Sequence, residues 1–257
     1  MYVGADYSTA ELVALAQVCL NLGYDSKMAQ AISEGRDLHL ALAADLAGVS
    51  YEQALKLRAD KDPQILKLRK LAKVPNFGLS GGLGASGLVG FAKGYGLNIT
   101  EREAQDLKRA WFSRWPEMRL YFDKVKGDVT RGYLTHHYSG RRRGGIGFTD
   151  GANSYFQGLV ADGAKCALYN VVRACWMQPE SALFSARPVL FIHDEIIIEA
   201  PEGRASVAAD ELARLMIQGI KPFLPDLPIE VEAWCSRIWT KGLDEARDPD
   251  GRHIIQN

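Results

Sequence analysis

The sequence predicts an α+β fold: one strand, then a long helical stretch, then strands and helices that complete a sheet. Residues 1–7 have the apolar character of a short buried strand. Residues 189–200 form two apolar segments around a polar turn, and residues 229–239 alternate in the manner of a strand. Because the sequence between the first strand and these segments is mostly helical, it indicates a helical insertion.

Length and composition place the chain among ordinary globular proteins. Its 257 residues can bury one core, or a core with a lobe, and 47% of them are hydrophobic against 24% charged. Neither a signal peptide nor a run of 18 apolar residues occurs, so no membrane partner is expected. Four scattered cysteines without a CxxC pair indicate reduced thiols in a cytoplasmic protein rather than zinc ligands; they are Cys19, Cys166, Cys175 and Cys235.

Residues with capping-box spacing mark two early helix starts. Ser8 and Glu11 predict a helix through about residue 22, and Ser50 and Gln53 predict a second one. A third helix is predicted to begin after Pro63 and to run into the glycine-rich segment GLSGGLGASG.

The later elements follow from similar signals. Thr100 and Glu103 cap a long amphipathic segment that is interrupted at Pro116. Residues 132–143 are predicted to form a hairpin with a basic tip. Helices are predicted for residues 153–177 and 205–220.

Charge is unevenly distributed, although the net charge is zero. Residues 56–73 include seven cationic side chains against two acidic ones, and residues 131–143 hold four arginines and two histidines without an acid. Residues 194–211 are acidic by contrast. This polarity suits phosphate binding in one region and cation binding in another. Solvated helix faces would explain the same runs, so charge alone decides no function.

The sharpest local feature is the segment VLFIHDEIIIEA. His193, Asp194 and Glu195 separate two apolar runs, and carboxylates in such a setting are costly unless a cation compensates them. The three residues lack the Asn-Gly character of an ordinary tight hairpin turn. The alternative interpretation is an exposed turn without a function.

A second carboxylate, Asp6, ends the first strand just before a helix. Because oxygen ligands suit Mg²⁺, Asp6 and Asp194 would hold a pair of metal ions for phosphoryl transfer if their strands were neighbours. Taken alone, Asp6 also has the simpler explanation of an acid that flanks a helix. Glu11 has a similar explanation as the capping partner of Ser8.

The segment RKLAKVPNFG places Arg69, Lys73 and Phe77 on one helix face, at positions i, i+4 and i+8. Two cations followed by an aromatic ring suit a nucleoside triphosphate, whose base lies beyond its phosphates. A solvated amphipathic helix would have the same pattern, so both interpretations stay open.

Three of these segments together resemble the motifs of family A DNA polymerases, the group of bacterial DNA polymerase I. DYSTAE resembles motif A, RKLAKVPNFG resembles motif B on the fingers O-helix, and HDE resembles motif C. GRDLH, GYL…GRR and NSYFQGLVADGAK also match in order and approximate spacing, and the wording of GGLG and NSYFQGLVADGAK is most similar to bacteriophage members. The similarity covers nearly the whole chain.

The resemblance implies a palm, which is an antiparallel sheet with helices, into which a helical fingers subdomain is inserted. The palm would comprise residues 1–27 and 132–257, and the fingers residues 28–131. The implied activity is template-directed addition of dNTPs to a primer 3′-hydroxyl by two-metal-ion phosphoryl transfer. Primer-template DNA would be the partner, in the cytoplasm of a bacterial host if the chain is phage-encoded.

The same resemblance implies the metal site. Asp6, Asp194 and the backbone carbonyl of Tyr7 would bind two Mg²⁺ ions, or Mn²⁺ in their place. Glu195 would be a supporting acid beside them. The metals would activate the primer hydroxyl and neutralise charge on the leaving pyrophosphate.

Nucleotide and DNA contacts are implied in the same way. Arg69, Lys73 and His39 would contact the triphosphate, and Lys73 would also donate a proton to pyrophosphate. Phe77 would stack near the sugar and base, and Glu11 would exclude a 2′-hydroxyl. The residues implied to contact template or primer are His193, Asn153, Gln157, Arg141 and Arg142.

The sequence departs from the family pattern in several ways. Gly81 stands where the family usually has a tyrosine, and Pro75 lies inside the expected O-helix, where we expect a kink or local unwinding. The exonuclease-like domain, the thumb and the first part of the palm are not represented. We therefore expect a split polymerase, in which a second polypeptide supplies the thumb and the N-terminal palm. The alternative is a stand-alone enzyme of low processivity.

Two other function classes remain open. A single-subunit RNA polymerase-like enzyme shares the palm chemistry, although Glu11 and the HDE segment argue against it. A non-catalytic DNA-binding replisome subunit would retain the same fold. Gly81 and Pro75 keep that alternative open, whereas the carboxylates Asp6 and Asp194 argue against it.

Overall fold

The computed structural model describes residues 1–240 and 243–256, which divide into two compact units. Unit 1 comprises Met1–Ala10 and Leu159–Asn257, and unit 2 comprises Glu11–Gly158. The chain thus leaves unit 1 after its first strand and returns to it within one long helix. The palm and fingers limits given above come from the resemblance, and they stay a prediction.

Unit 1 is built on a five-stranded sheet, whose strands lie in the order 187–192, 195–199, 2–8, 230–236 and 255–256. The central strand β1 (Tyr2–Ser8) pairs antiparallel with β5 (Glu195–Glu199) on one side and with β6 (Glu230–Ser236) on the other. β4 (Arg187–Ile192) forms a hairpin with β5, and the short β7 (Ile255–Gln256) runs parallel to β6. The predicted α+β class is confirmed, whereas β7 was not predicted.

Alternation along β1 separates a core face from a polar one. Val3, Ala5 and Tyr7 are buried, and the strand packs against α10 (Ala205–Ile220). The Tyr7 hydroxyl donates a hydrogen bond to the Met216 carbonyl in this helix at 2.8 Å. Because successive side chains of a strand point to opposite faces, Asp6 lies on the other side of the sheet.

The other helix of unit 1 is the second part of α9 (Phe148–Met177), which begins before the predicted start at residue 153. It is 30 residues long. Neither α9 nor any other helix in the described ranges combines the length and apolarity needed to span a membrane.

Unit 2 is mainly helical, and its predicted capping boxes at Ser50 and Thr100 are confirmed. The two-stranded sheet of β2 (Tyr133–Thr135) and β3 (Arg142–Gly144) confirms the predicted hairpin. Three of its helices, at residues 27–33, 38–47 and 85–94, were not predicted. The helices before α9 are α1 (Ala10–Asn21), α2 (Lys27–Ser33), α3 (Leu38–Ala47), α4 (Tyr51–Ala59), α5 (Pro63–Gly78), α6 (Ala85–Gly94), α7 (Glu101–Arg114) and α8 (Glu117–Arg131).

The capping box predicted for α1 is wrong. Ser8 is the last residue of β1 and still pairs with β6. Its hydroxyl donates to the Glu232 carboxylate at 2.6 Å, and Thr9 (φ 51°) separates the strand from the helix. The sheet ladder therefore directs the Ser8 side chain to the neighbouring strand instead of the helix end.

Of the kink or local unwinding expected at Pro75, the unwinding does not occur, and the kink stays a prediction. α5 continues through Pro75 to Gly78, and Pro75 is buried. The fixed φ of proline is compatible with a helix, and its missing N–H leaves only the Leu71 carbonyl without its usual donor. Because the helix ends three residues later, few bonds depend on this position. The Leu79 N–H donates to the Pro75 carbonyl at 3.0 Å and continues the ladder.

Gly4 makes room for a tryptophan ring on the polar face of the sheet. It pairs directly with Trp234 of β6, and a Cβ at Gly4 would lie 2.1 Å from a carbon of that ring. Glycine in a strand normally weakens the strand, so it often marks a close approach of this kind.

Gly4→Ala should therefore destabilise the protein by about 1–3 kcal/mol, because the added methyl group overpacks the slot of the indole. Urea denaturation would measure the change. Gly90→Ala is the matched control, since Gly90 lies within α6 with open space around it and alanine favours helix there. If the Gly4→Ala protein were as stable as the wild type, the Trp234 ring would not depend on the space left by the missing side chain at position 4.

Candidate active site

Four carboxylates cluster at the end of the central strands of unit 1. Asp6 in β1 lies directly opposite Glu232 in β6. On the other side, the antiparallel register between β1 and β5 brings Glu195 opposite Asp6 at the next step of the ladder. Asp194 immediately precedes Glu195, and its charge acts on Asp6. The sheet thus brings together the three acids singled out from the sequence and adds Glu232.

The β4–β5 hairpin presents Asp194 from a two-residue turn. Ile192 and Glu195 form its last pair, so His193 and Asp194 make the connection. His193 has φ 55°, in the left-handed region that residues other than glycine, asparagine and aspartate seldom adopt. Such backbone costs about 1–3 kcal/mol and often occurs at functional sites. The segment is a turn, but Asp194 and Glu195 are half-buried in it.

This cluster raises the pKa of Asp6 to about 6. The largest cause is the limited access of water to the carboxylate, followed by the charges of Asp194, Glu195 and Glu232. Burial also raises the pKa of Asp194 and of Glu195. Within the described ranges, no lysine or arginine offsets the charge of Asp6.

Trp234 and Ser8 orient the outer members of the cluster. The Trp234 indole, which is buried, donates to the Glu195 carboxylate, and this bond partly counters the rise of its pKa. The Ser8 hydroxyl bonds to Glu232. Trp234 and Glu232 were not identified from the sequence, because alternation identifies a strand but not the register that places these side chains beside β1.

The oxygen ligands of this cluster suit a divalent cation such as Mg²⁺. A bound cation would relieve the repulsion that raises the pKa of Asp6. Among residues 1–240 and 243–256, no three His, Cys, Asp or Glu side chains form a ready-made metal site. Mg²⁺ typically uses only one or two protein carboxylates and takes its other ligands from water and phosphates. The residues therefore fit Mg²⁺ rather than a structural metal held only by protein.

Unit 2 presents the cationic face of α5. Arg69, Lys73 and Phe77 are all half-buried along this helix. The Arg69 Nε donates to the Asp37 carboxylate at 2.7 Å, and Asp37 also caps the start of α3 by accepting from the His39 backbone N–H. Asp37 was not identified from the sequence, although its position two residues before His39 is a helix-capping signal. It fixes Arg69 relative to α3.

His39 packs beside this face and is neutral at pH 7. Its ring centroid lies 5.2 Å from that of Phe77. Burial lowers the pKa of His39 to about 4, the negative charge of Asp37 opposes the shift, and Arg69 and Lys73 add to it. His39 can therefore donate or accept a hydrogen bond without adding charge.

Two residues of α9 contact Glu11, a predicted site residue, and Gly81, a departure from the family pattern, within unit 2. Gln157 Nε2 donates to the Glu11 carboxylate at 3.0 Å. Asn153 Nδ2 donates to the Gly81 carbonyl at 3.1 Å, and a Cβ at Gly81 would lie 2.7 Å from the Asn153 side-chain oxygen. The Asn153 amide thus fills the space that a side chain at position 81 would need.

The β2–β3 hairpin carries the predicted basic contacts. Arg141 and Arg142 are exposed. The Arg142 guanidinium lies 5.1 Å from the centroid of the Tyr133 ring, a cation–π contact that restrains it. Arg143, which was not singled out, hydrogen-bonds the Ser154 hydroxyl of α9. The hairpin is therefore basic and joined to α9.

Asp6→Asn should stabilise the metal-free protein at pH 8. Because the folded-state pKa of Asp6 is about 6, above the ordinary 3.8, the favourable contribution of its protonated form is lost as the pH rises through 6. Asparagine keeps the shape without the charge. We expect a gain of up to about 1 kcal/mol at pH 8, limited because the carboxylate is only partly buried and solvent screens its charge, and little gain near pH 4.

Urea denaturation in the presence of EDTA would measure this difference, with Asp25→Asn, an exposed residue outside the cluster, as the matched control. An equal effect of Asp6→Asn at both pH values would contradict the electrostatic explanation.

The sequence model of the protein family "DNA polymerase family A" matches residues 1–241. Similar proteins include DNA polymerase I of Aquifex aeolicus (strain VF5), 31% identical over 243 residues, and the thermostable DNA polymerase I of Thermus aquaticus, 29% identical over 251 residues. Each alignment covers 93% of this chain, but 39% of the first relative and 27% of the second. The likeness to bacteriophage members stays a prediction.

The fold is also found in a solved structure. The POL domain of Pol1 from M. smegmatis, in complex with DNA primer-template and dNTP, is 27% identical with a TM-score of 0.68. The match covers 91% of this chain and 39% of that one. Since the family model spans most of the sequence and the fold agrees, the chain belongs to DNA polymerase family A.

Proposed function

We propose that this chain carries the catalytic part of a template-directed DNA polymerase, which adds dNTPs to a primer 3′-hydroxyl. The observation that carries the proposal is the group of carboxylates around Asp6, whose repulsion no described cation offsets. Membership of family A, and a related structure solved with primer-template and dNTP, support the substrate class. Because the chain spans 39% or less of the two relatives named above, this activity is a proposal for the chain itself.

In this proposal, Asp6, Asp194 and the Tyr7 carbonyl hold two divalent cations, Mg²⁺ or Mn²⁺. When bound, such a pair supplies Lewis-acid activation of the primer hydroxyl and neutralises charge on the triphosphate. The hydrogen bond from the Tyr7 hydroxyl to α10 anchors the strand that carries two of these ligands. Glu195 serves as a supporting acid, held in place by its bond from Trp234.

The face of α5 binds the triphosphate. Arg69, oriented by Asp37, supplies a directed positive charge. Lys73 supplies a second charge and donates a proton to the leaving pyrophosphate. His39 donates a neutral hydrogen bond, and Phe77 flanks the sugar and base of the nucleotide.

Polar residues are proposed for sugar selection and for DNA binding. Glu11 excludes a 2′-hydroxyl, and the bond from Gln157 holds its carboxylate. Phosphate contacts position a nucleic acid without reading its sequence, which suits a polymerase. The proposed contacts to template or primer are Asn153, Gln157, His193, Arg141 and Arg142.

A second polypeptide that supplies the thumb and the N-terminal palm is also part of the proposal. Apolar side chains exposed on unit 1 support this part of the proposal. The outer strand β4 exposes Val189 and Leu190, and the second half of α9 exposes Tyr169, Trp176 and Met177. An apolar strand at a sheet edge invites pairing with another chain, and clustered exposed apolar side chains mark interaction sites. The alternative is a stand-alone enzyme of low processivity.

Primer extension tests the catalytic proposal. The purified chain, alone and with candidate partner chains, should extend a labelled primer on a template with dNTPs and Mg²⁺. Asp194→Asn should reduce the rate by about a hundredfold or more, because it removes a charged metal ligand. Asp25→Asn should have no effect.

Two outcomes would contradict this proposal. If the Asp194→Asn variant still extended the primer at the wild-type rate, the carboxylate cluster would not be needed for catalysis. Binding of primer-template without any extension, in Mg²⁺ or Mn²⁺ and with every partner, would favour the non-catalytic replisome subunit.

Glu11→Ala should weaken discrimination against ribonucleotides. Removal of the carboxylate opens space for a 2′-hydroxyl, so we expect the preference for dNTPs over NTPs to fall about tenfold. Single-nucleotide incorporation of dATP and ATP would measure kcat/KM for each. Glu101→Ala, at an exposed helix start, is the control. A wild type that prefers NTPs would instead support the RNA polymerase-like alternative.

A further inference from the structure

The buried side chain of Asn76 makes four hydrogen bonds, none of which belongs to the roles proposed above. Its Oδ1 accepts from Trp111 Nε1 at 3.1 Å and from Trp115 Nε1 at 3.2 Å. Its Nδ2 lies 3.3 Å from the Leu38 carbonyl and 3.0 Å from His39 Nδ1. A side-chain amide has two donor and two acceptor positions, so all of them are used.

The two tryptophans determine which way the Asn76 amide points. An indole N–H can only donate, so both indoles require the amide oxygen. In the reversed orientation, two N–H donors would face an NH₂ group. Both indoles are almost completely buried, so water cannot replace the lost acceptor. Asn76 Nδ2 must therefore face His39.

This orientation determines the tautomer of His39. Because Asn76 Nδ2 donates, His39 Nδ1 has to be the unprotonated acceptor, and the proton of the neutral ring resides on Nε2. His39 is buried as a whole, but its Nε2 is not completely buried, and no residue in the described ranges accepts a hydrogen bond from it. An imidazolium ion would set an Nδ1–H donor against the Asn76 donor, so the network opposes protonation.

The charged groups around the ring favour the same neutral form. Arg69 and Lys73 disfavour another positive charge, while Asp37 favours one. The Asp37 carboxylate, however, already accepts hydrogen bonds from Arg58 at 3.1 Å and from Arg69 at 2.7 Å. Burial of the ring adds the largest effect and lowers the pKa of His39 to about 4.

We propose that Asn76 is a positioning residue that holds His39 as a neutral Nε2–H donor to a phosphate oxygen of the incoming nucleotide. This inference rests on the proposed function and specifies how one of its phosphate contacts works. Arg69 and Lys73 supply charge, whereas His39 supplies a directed hydrogen bond that stays constant across neutral pH. Trp111 and Trp115 hold Asn76 in the required orientation.

Nuclear magnetic resonance of the ¹⁵N-labelled full chain tests the tautomer directly. Long-range ¹H–¹⁵N spectra between pH 6 and 8 should show His39 Nδ1 unprotonated and Nε2 protonated. Asn76→Asp replaces the donor with an acceptor, so it should move the proton to Nδ1 or raise the pKa of the ring. Asn98→Asp makes the same chemical change at an exposed position and should leave the spectra unchanged.

Trp115→Phe is a milder second variant, which removes one indole donor and keeps an aromatic ring. It should give a mixture of the two tautomers. A wild-type His39 protonated on Nδ1 would overturn the proposal, whatever the activity of the protein.

Binding of radiolabelled dATP with Mg²⁺, measured by equilibrium dialysis, tests the consequence for nucleotide binding. At pH 8, Asn76→Asp should bind about tenfold more weakly, the loss expected for one hydrogen bond to a charged group. The ratio to wild type should approach one near pH 6, where protonation restores the Nε2–H. In a His39→Gln background, whose amide carries its own donor, the loss should be much smaller.

A purely structural role of Asn76 would give equal losses at both pH values and in both backgrounds, which would overturn the proposal. A wild type that binds no dATP would overturn the nucleotide contact together with the proposed function. The tautomer result would still stand in that case, so the two failures are distinguishable.

Discussion

The repulsion among the carboxylates around Asp6 is the constraint on which the site depends. β1 is held between β5 and β6, so Asp6 cannot move away from Glu195 and Glu232 without breaking the sheet. Like charges opposite each other in a sheet are destabilising. The opposite face of the same strand is buried against α10, which offsets this cost and fixes the position of Asp6. A sheet that retains such a cluster is suited to bind cations.

Unit 2 carries positive charge on the face of α5, and hydrogen bonds orient the side chains there. On α5, Arg69 is tied to Asp37, and the neutral His39 is tied to Asn76, so charge and hydrogen-bonding capacity are oriented separately. The net charge of the chain is zero, although one unit carries an acidic cluster and the other a cationic helix face. A total of this kind says little about what either surface binds, because affinity for phosphate or metal depends on local potential.

Local signals predicted much of the fold, and failures occurred where distant residues decide the outcome. The capping boxes at Ser50 and Thr100 involve neighbours along the chain, so they could be predicted. The one at Ser8 could not, because pairing with β6 directs its side chain elsewhere. Glu232 was missed for the same reason, since only strand register places it beside Asp6. Asn76 lies inside the recognised RKLAKVPNFG segment, but its partners on α7 and beyond depend on helix packing.

Through α9, the departure at Gly81 is linked to Glu11, the residue proposed to select the sugar. Asn153 and Gln157 lie four residues apart, so they share one face of this helix. One bonds to the Gly81 backbone and the other to the Glu11 carboxylate. A larger side chain at position 81 would displace Asn153, because even a Cβ comes within 2.7 Å of its amide. Any shift of the helix needed to accommodate that side chain would also move the donor that holds Glu11. Glycine at position 81 therefore helps to keep the Glu11 carboxylate, which is proposed to exclude a 2′-hydroxyl, in place. The tyrosine that the family usually has here would need the space that the Asn153 amide fills.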